Sequence, residues 1–457
     1  PSIHMTIFLL YSALFILLAY FETRQLRNKE DYFVAGRKAS SIQTGFSIIA
    51  SCVGASATIG MTGLAFSVGL PAIWWLLSGA IGLCVLRVFL LKRIRHQPHL
   101  TMLEIVNSRL GAQATKLCAA VIVIAWISIL AAQFSAMGTI VAQMSDLSTG
   151  TALFIGSAVI LLYTLLGGQA AVMKSDVIQL SVMMVGLSIL LFSLIFLDAH
   201  PLNALNFELL NSQFTLSDWS RFTLLIGGSY VVCPMLFTRF MSTRSDQCAQ
   251  KGALIAIVGL VLIALIIVLI GIEARHFLDP STPSDQVLAA VADKLPFGAG
   301  TLLSLVLISA ILSSADSCLI TAATVVSNDL LNRPSIALSR TVMIVLSAFG
   351  LYLASSGKAV LDLLLMANNI YVCAVVAPVF CALCSNTPLR RPIILITLAT
   401  SSILALIGEW QQTVEFSYIA FSISVCGSFL ARQIAHQTHI NDCFKLESNH
   451  SRIVLDE

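Results

Sequence analysis

The apolar segment 303–330 is long enough to cross a bilayer as a helix, yet its middle is polar. Four oxygen-bearing side chains lie there, those of Ser313, Ser314, Asp316 and Ser317. On a helix, Ala310 and the three serines form one stripe, with Asp316 at its edge. Because a carboxylate at membrane depth needs a partner, the stripe is expected to face a ligand. The pattern indicates a site for a hard monovalent cation bound by hydroxyls, carbonyls and a carboxylate.

Composition places this cluster in a polytopic membrane protein. Of 457 residues, 57% are hydrophobic and only 11% are charged, whereas about a quarter are charged in soluble domains. The net charge of +3 comes from residues in short loops, so no nucleic-acid partner is expected. The expected partner is the lipid bilayer. The sequence contains no HExxH motif, and its one CxxC pair, Cys381 and Cys384, has no second pair. Zinc chemistry is therefore not expected.

Apolar runs of about 17–25 residues predict thirteen spans. They are residues 5–22, 43–68, 72–91, 117–143, 152–168, 174–197, 219–239, 250–273, 298–328, 336–355, 360–384, 391–408 and 413–434. Alternate loops are basic, and Arg93, Arg239 and Arg333 are assigned to them. The positive-inside rule then puts the amino terminus outside and the carboxyl terminus in the cytoplasm. We expect a multi-pass protein of the plasma membrane, the inner membrane of a bacterium.

A second unusual segment, 47–63, is dominated by Gly, Ala and Ser and lacks Leu. Small residues allow close helix packing, which is one interpretation. The other is a discontinuous helix whose unwound middle presents backbone carbonyls to an ion and a solute near the bilayer midplane. A similar interruption is predicted in 219–240, at Gly227, Gly228 and Pro234. In both halves of the chain a Gly-interrupted helix therefore comes first.

Five motifs in order resemble the sodium:solute symporter family, which includes bacterial proline, pantothenate, sialic acid and galactose symporters. They are DYFVAGRKAS (31–40), FSIIASCVGASATIGMTG (46–63), LLGGQAAVMKSDVIQ (165–179), CPMLFTRFMSTRSDQCAQKG (233–252) and SAILSSADS (309–317). The resemblance covers nearly the whole chain. It implies an all-α LeuT-type fold with one extra amino-terminal helix, two inverted five-helix repeats and two trailing helices. The implied divisions are 1–40, 41–197, 198–385, 386–434 and a cytoplasmic tail, 435–457.

The resemblance also implies where the principal sodium ion binds. The family takes two backbone carbonyls from the first core helix, which fall on Ala50 and Val53. From the eighth core helix it takes the carbonyl of Ala310 and the hydroxyls of Ser313 and Ser314. The last three residues belong to the stripe found from helical periodicity. The alternative is that both serines merely hydrogen-bond to carbonyls of their own helix.

A second cation site is implied in some members of the family. It would comprise Asp176, Ser313, Asp316 and Ser317. Asp316 stands where those members carry Ser, and two nearby carboxylates need a cation between them or a shared proton. The sequence therefore predicts one or two sodium ions, with protons as an alternative coupling ion. Asp176 has a further interpretation, a solvated ion pair with Lys174.

Predicted solute contacts come from five core helices. They are Ser56, Ala57, Trp74, Trp75, Gln133, Ser135, Tyr230, Cys233, Asn368, Asn369 and Tyr371. Ala57 and Cys233 replace polar residues of sugar-transporting relatives, and unpaired sugar hydroxyls would be unfavourable. A small carboxylate or amino acid is favoured over a sugar. The two tryptophans have an alternative role in an interfacial aromatic belt.

The predicted activity is sodium-coupled symport by alternating access, by a monomer or weak oligomer. A proton-coupled or mixed symporter using Asp176 and Asp316 is the main alternative. A membrane-embedded solute sensor is a more distant one, because no kinase-sized domain follows the thirteenth span. An enzyme is not expected, since the two carboxylates lack an accompanying nucleophile or metal set.

Overall fold

The computed structural model describes residues 3–95, 98–145, 147–197, 208–295, 298–358, 360–411 and 413–453. Within them, twelve helices are long and apolar enough to cross a membrane, and a bent helix pair adds a thirteenth span. The spans are α1 (Met5–Thr23), α2 (Ser41–Cys52 and Ser56–Val68), α3 (Leu70–Arg95), α4 (Ala112–Gln143), α5 (Thr149–Leu166), α6 (Gln169–Phe196), α7 (Leu216–Met241), α8 (Asp246–His276), α9 (Ala299–Leu330), α10 (Ile336–Ala354), α11 (Asp362–Cys384), α12 (Arg391–Gln411) and α13 (Val414–Thr438). The thirteen predicted spans are confirmed. The helix of α13 continues to Ile453, through most of the predicted tail.

Helix α2 is broken, as the small-residue segment predicted. Its first half ends at Cys52, and Val53 follows with non-helical φ −100° and ψ 70°. The second half begins with a π-helical turn, Ser56–Gly60, and the halves meet at a bend of 64°. A break of this kind leaves carbonyls at the end of the first half without partners in the helix. The discontinuous helix is thereby confirmed.

Helix α7 is also interrupted, directly before the predicted Pro234 and four residues after the predicted glycines. Gly227 and Gly228 have helical backbones, whereas Val232 and Cys233 are extended, with φ of −128° and −127°. Pro234 opens the second part of α7, since proline disfavours helical backbone in the residue before it and lacks an N–H. Gly82 of α3 permits close packing against this part of α7, because a Cβ there would lie 2.1 Å from the carbonyl oxygen of Gly227.

Helix α9 lies in the centre of the protein. It packs against the first half of α2 and against α4 and α6, and its residues from 306 to 323 are buried. The segments flanking α2 and α7 are joined by the backbone of Ala39, which donates to Ser242 O at 2.9 Å and accepts from Arg244 N at 3.0 Å. The first half of α2 and the last part of α7 therefore lie side by side next to α9.

Candidate ion and solute site

The first half of α2 and the serine stripe of α9 converge at the predicted sodium site. The Ser313 hydroxyl lies 2.9 Å from the carbonyl oxygen of Ala50 and 3.1 Å from that of Ala310. It also lies 2.9 Å from the carbonyl of Ser309, so the predicted alternative of bonding within its own helix is present as well. Three of the five predicted sodium ligands thus share one buried point. Oxygens so placed are those a dehydrated alkali ion requires.

Ser314 joins the same two segments one residue further along α2. Its hydroxyl donates to the carbonyl of Ser51 at 3.0 Å. Val53, the fifth predicted ligand, is fully buried at the end of the first half of α2. Gly54 allows this close approach, because a Cβ there would lie 2.5 Å from Ser314 Oγ and 2.9 Å from Gln133 Nε2. The chain therefore needs glycine where the broken helix meets the serine stripe.

An arginine that the sequence interpretation placed in a loop lies at the centre of the protein. Arg239 is on the last part of α7 and is fully buried. Its Nη2 lies 3.4 Å from Asp176 Oδ2, and Asp176 is also completely buried. The assignment of Arg239 to a basic loop was wrong. The solvated pair of Asp176 with Lys174 is wrong too, since Lys174 Nζ binds Glu22 at 2.7 Å.

Serine hydroxyls surround the guanidinium of Arg239. Its Nε donates to Ser47 Oγ at 2.9 Å, and its Nη2 donates to Ser51 Oγ at 2.5 Å and to Ser317 Oγ. Ser47 in turn donates to Asp176 Oδ2 at 2.5 Å. The cluster therefore links α2, α6, α7 and α9 through one cation. A signal was present in the sequence, because the predicted span 219–239 ends on this residue.

Asp316 completes this buried ionic cluster. Its Oδ1 accepts from Ser317 Oγ at 3.0 Å, and both Asp176 and Arg239 act on it electrostatically. Asp316 Oδ2 and Asp176 Oδ1 have no hydrogen-bond partner among the described residues. The structure thus brings together the four residues of the predicted second cation site and adds Arg239, which sequence reasoning missed.

A solute-sized cavity of about 70 Å³ adjoins the ion site. It has room for roughly five to seven waters at about 10–15 Å³ each. Six predicted solute contacts line it: Ser56, Trp75, Gln133, Tyr230, Cys233 and Asn368. Further lining residues that sequence reasoning did not name include Cys52, Trp126, Ser229 and Cys318. Ser51, Gly54 and Ser314 belong to both the cavity wall and the ion site, so the two are continuous.

The other five predicted contacts do not line the cavity. Trp74 Nε1 donates to Leu209 O at 3.0 Å, and the Tyr371 hydroxyl donates to Val232 O. Asn369 Nδ2 donates to Glu409 Oε1 at 2.6 Å, across to α12. Ala57 is fully buried, and Ser135 is half-buried on α4.

The cavity wall is uncharged but polar at both helix breaks. Gln133 Oε1 accepts from the backbone N–H of Ala55 at 3.1 Å, which leaves its Nε2 as a donor on the cavity side. The second part of α7 begins at Pro234, without a side-chain cap at Cys233. A helix amino terminus attracts negative charge, and a helix carboxyl terminus attracts positive charge. Each break therefore places one helix carboxyl terminus and one helix amino terminus beside the same cavity.

Comparison with known proteins gives consistent matches. The sodium:solute symporter family model matches residues 32–400. The human sodium/iodide cotransporter is 27% identical over 52% of this chain, and that match spans 39% of the cotransporter's own length. The sodium/proline symporter of Haemophilus influenzae is 27% identical over 78% of this chain and 77% of the symporter.

Two solved structures share the fold. A substrate-bound, outward-open sodium-coupled sialic acid symporter superposes with a TM-score of 0.79 at 14% identity, covering 95% of this chain and 98% of that one. A nucleobase-cation-symport-1 family transporter in a closed conformation gives a TM-score of 0.62 at 12% identity, covering 88% and 93%. The predicted LeuT-type fold is confirmed.

Proposed function

Because the chain belongs to the sodium:solute symporter family, we propose that it is a sodium-coupled symporter that imports a small organic solute. The observation that carries the proposal is the wall shared by the ion site and the cavity, formed by Ser51, Gly54 and Ser314. A sodium ion at the Ala50–Ser313 contact would hold the first half of α2 against α9. The same contact shapes the cavity, so sodium and the solute each raise the other's affinity by the same factor.

The solute we propose is a carboxylate or an amino acid, not a sugar. The cavity of about 70 Å³ has room for about five to seven waters, so it favours a small solute with few non-hydrogen atoms. The Gln133 amide can donate to a carboxylate, and the amino terminus of the second part of α7 can attract one. The Ser229 hydroxyl already donates to Ile226 O at 2.8 Å. The apolar remainder of the wall, including Trp75, would leave most sugar hydroxyls unpaired.

Uptake into proteoliposomes tests the proposal. With a panel of radiolabelled carboxylates, amino acids and sugars, an inward sodium gradient is expected to drive accumulation of one of the first two classes. A potassium gradient at the same pH and membrane potential is the control. Accumulation that does not depend on sodium would contradict the proposal.

Removal of the Gln133 side chain is expected to weaken solute binding selectively. Gln133→Ala deletes the donor on the cavity side, and lost hydrogen bonds to a charged group correspond to about 1.5–3 kcal/mol, or about tenfold or more in KM for the solute. The half-saturating sodium concentration at saturating solute is expected to change less. Gln113→Ala, on the exposed start of the same helix, is the matched control. Equal loss in both variants would contradict this role.

The proton-coupled alternative is favoured by one observation, the unpartnered oxygens of Asp176 and Asp316. For sodium coupling, we expect uptake at saturating sodium to be independent of external pH. Asp316→Ser distinguishes the two coupling ions. If wild-type uptake depends on pH and the variant loses that dependence while keeping its sodium dependence, Asp316 carries a transported proton.

A further inference from the structure

Two adjacent asparagines of α11 make contacts on different sides of that helix. Asn368 lines the solute cavity with 7% of its surface exposed, and no described residue hydrogen-bonds to its amide. Both the donor and the acceptor of that amide are therefore available to a solute. Asn369 is 2% exposed, and its amide is directed to α12. The direction of Asn368 into the cavity thus depends on how α11 is rotated about its own axis.

The side chain of Asn369 is held at both atoms of its amide. Its Nδ2 donates to Glu409 Oε1 at 2.6 Å, and its Oδ1 accepts from Cys373 Sγ at 3.3 Å. An ionised carboxylate can only accept, so it requires the N–H side of the amide. Asn368 and Asn369 lie about 100° apart around the helix axis. A rotation of α11 that moved Asn368 out of the cavity would therefore break the bond between Asn369 and Glu409.

Glu409 is a partly buried carboxylate near the end of the apolar span α12. Ionisable residues within spans usually have a partner in the protein. In the part of the chain that the structure describes, no lysine or arginine pairs with Glu409, and its hydrogen-bond partner is the amide of Asn369. A hydrogen bond to a charged acceptor is shorter and stronger than one between neutral groups. The carboxylate is therefore suited to holding α11 in one orientation.

The part of α11 that follows Asn369 is irregular and is supported from outside. Residues Val372–Val376 form a π-helical turn, an irregularity that is frequent at functional sites. Helices α12 and α13 pack against this turn, and Cys373 Sγ lies 3.3 Å from Ser417 O of α13. The bond from Asn369 to Glu409 adds a contact to α12 about one helical turn earlier. The two helices after α11 thus fix its position beside the cavity.

We propose that Glu409 is a positioning residue for solute recognition. Through Asn369 it sets the rotation of α11, and the free amide of Asn368 is thereby directed at the solute. The inference rests on the proposed symport and extends it, because α12 is the first of the two helices predicted to trail the repeats. A helix of which no described residue lines the cavity then takes part in solute affinity.

Uptake kinetics of the full-length protein in proteoliposomes test the inference. The probe is radiolabelled L-proline, pyruvate or acetate, whichever wild type accumulates under a sodium gradient. Glu409→Ala is expected to raise the KM for the probe by about tenfold, with kcat and the half-saturating sodium concentration within about twofold of wild type. Glu409→Gln keeps an acceptor for Asn369, so its KM is expected within about twofold of wild type. Ser402→Ala is the matched control on α12, because it removes a hydroxyl that donates to Leu398 O of the same helix at 2.6 Å.

A double-mutant cycle separates positioning from general destabilisation. If Glu409 acts through Asn368, then Asn368→Ala alone raises the KM, and Glu409→Ala adds little in that background. If Glu409→Ala does not fold, Asn369→Ala breaks the same bond from α11 and is expected to give the same change in KM.

The outcomes distinguish this inference from the proposed function. Additive effects of Glu409→Ala and Asn368→Ala, an equal rise in KM for Glu409→Gln, or a wild-type KM for Glu409→Ala would each overturn the inference while sodium-driven uptake remains. Absence of sodium-driven uptake of every probe by wild type would remove the proposed function, and the inference with it.

Discussion

Replacing Ser313 or Ser314 with alanine is expected to raise the half-saturating sodium concentration by about tenfold to a hundredfold, since a contact to a charged group contributes about 1.5–3 kcal/mol. Ser313 Oγ lies within 3.1 Å of the carbonyls of both Ala50 and Ala310, and Ser314 reaches Ser51. Either substitution removes one oxygen from the ion site and adds no bulk. Uptake at limiting sodium should fall accordingly, and saturating sodium should restore most of it.

Ser304→Ala is the matched control for these variants. Ser304 lies on α9 too, but its hydroxyl bonds only to the carbonyl of Gly300 in its own helix, at 2.9 Å. The sodium dependence of uptake by Ser304→Ala is expected to equal that of wild type. If Ser313→Ala and Ser314→Ala also kept wild-type sodium dependence, the ion would have to bind elsewhere. Sodium-dependent thermal stabilisation of each variant gives the same comparison without transport.

The spans and the serine stripe could be predicted because both are local properties of the sequence. Hydropathy over a window of about 20 residues marks a span, and the helical period places Ser313, Ser314 and Ala310 on one face. The break in α2 was predictable from its small residues. The break in α7 lies at the predicted Pro234 and not at the predicted Gly227 and Gly228, because glycine only permits an interruption whereas proline disfavours helix in the residue before it.

The solute contacts were predicted less well, because neighbouring residues on a helix point about 100° apart. Asn368 lines the cavity, whereas Asn369 faces α12 and binds Glu409. In the same way, Trp75 lines the cavity, whereas Trp74 donates to the backbone carbonyl of Leu209. Which of two neighbouring residues faces the cavity depends on how the helix packs, which hydropathy does not specify.

Arg239 was misplaced for a different physical reason. A basic residue at the end of an apolar run is usually in a loop, which is the basis of the positive-inside rule. Its burial depends on Asp176 of α6, on two serines of α2 and on Ser317 of α9, which are far apart in the chain. Partners of this kind become visible only when the helices are packed together.

Substitution of Gly54 by alanine is expected to disrupt ion and solute binding together. The added Cβ would lie 2.5 Å from Ser314 Oγ and 2.9 Å from Gln133 Nε2, well inside normal contact distance. Overpacking of a tight site corresponds to about 1–3 kcal/mol, so sodium and solute affinities should each fall by about fivefold to over a hundredfold. Ser313→Ala is expected to lower mainly the sodium affinity, and Gln133→Ala mainly the solute affinity. Gly54→Ala is expected to lower both.

Gly300→Ala provides the comparison for Gly54→Ala, because nothing lies within 4 Å of a Cβ added there. Gly300 is in the first turn of α9, and replacing a helical glycine with alanine stabilises the helix by up to about 1 kcal/mol. The uptake by Gly300→Ala, and the increase in its melting temperature when sodium is added, are expected to match wild type. Gly54→Ala should fold, yet lose the increase in melting temperature that sodium gives. Retention of that increase, with normal uptake, would show that the broken helix and the serine stripe do not meet as tightly in the transporting protein as in this structure.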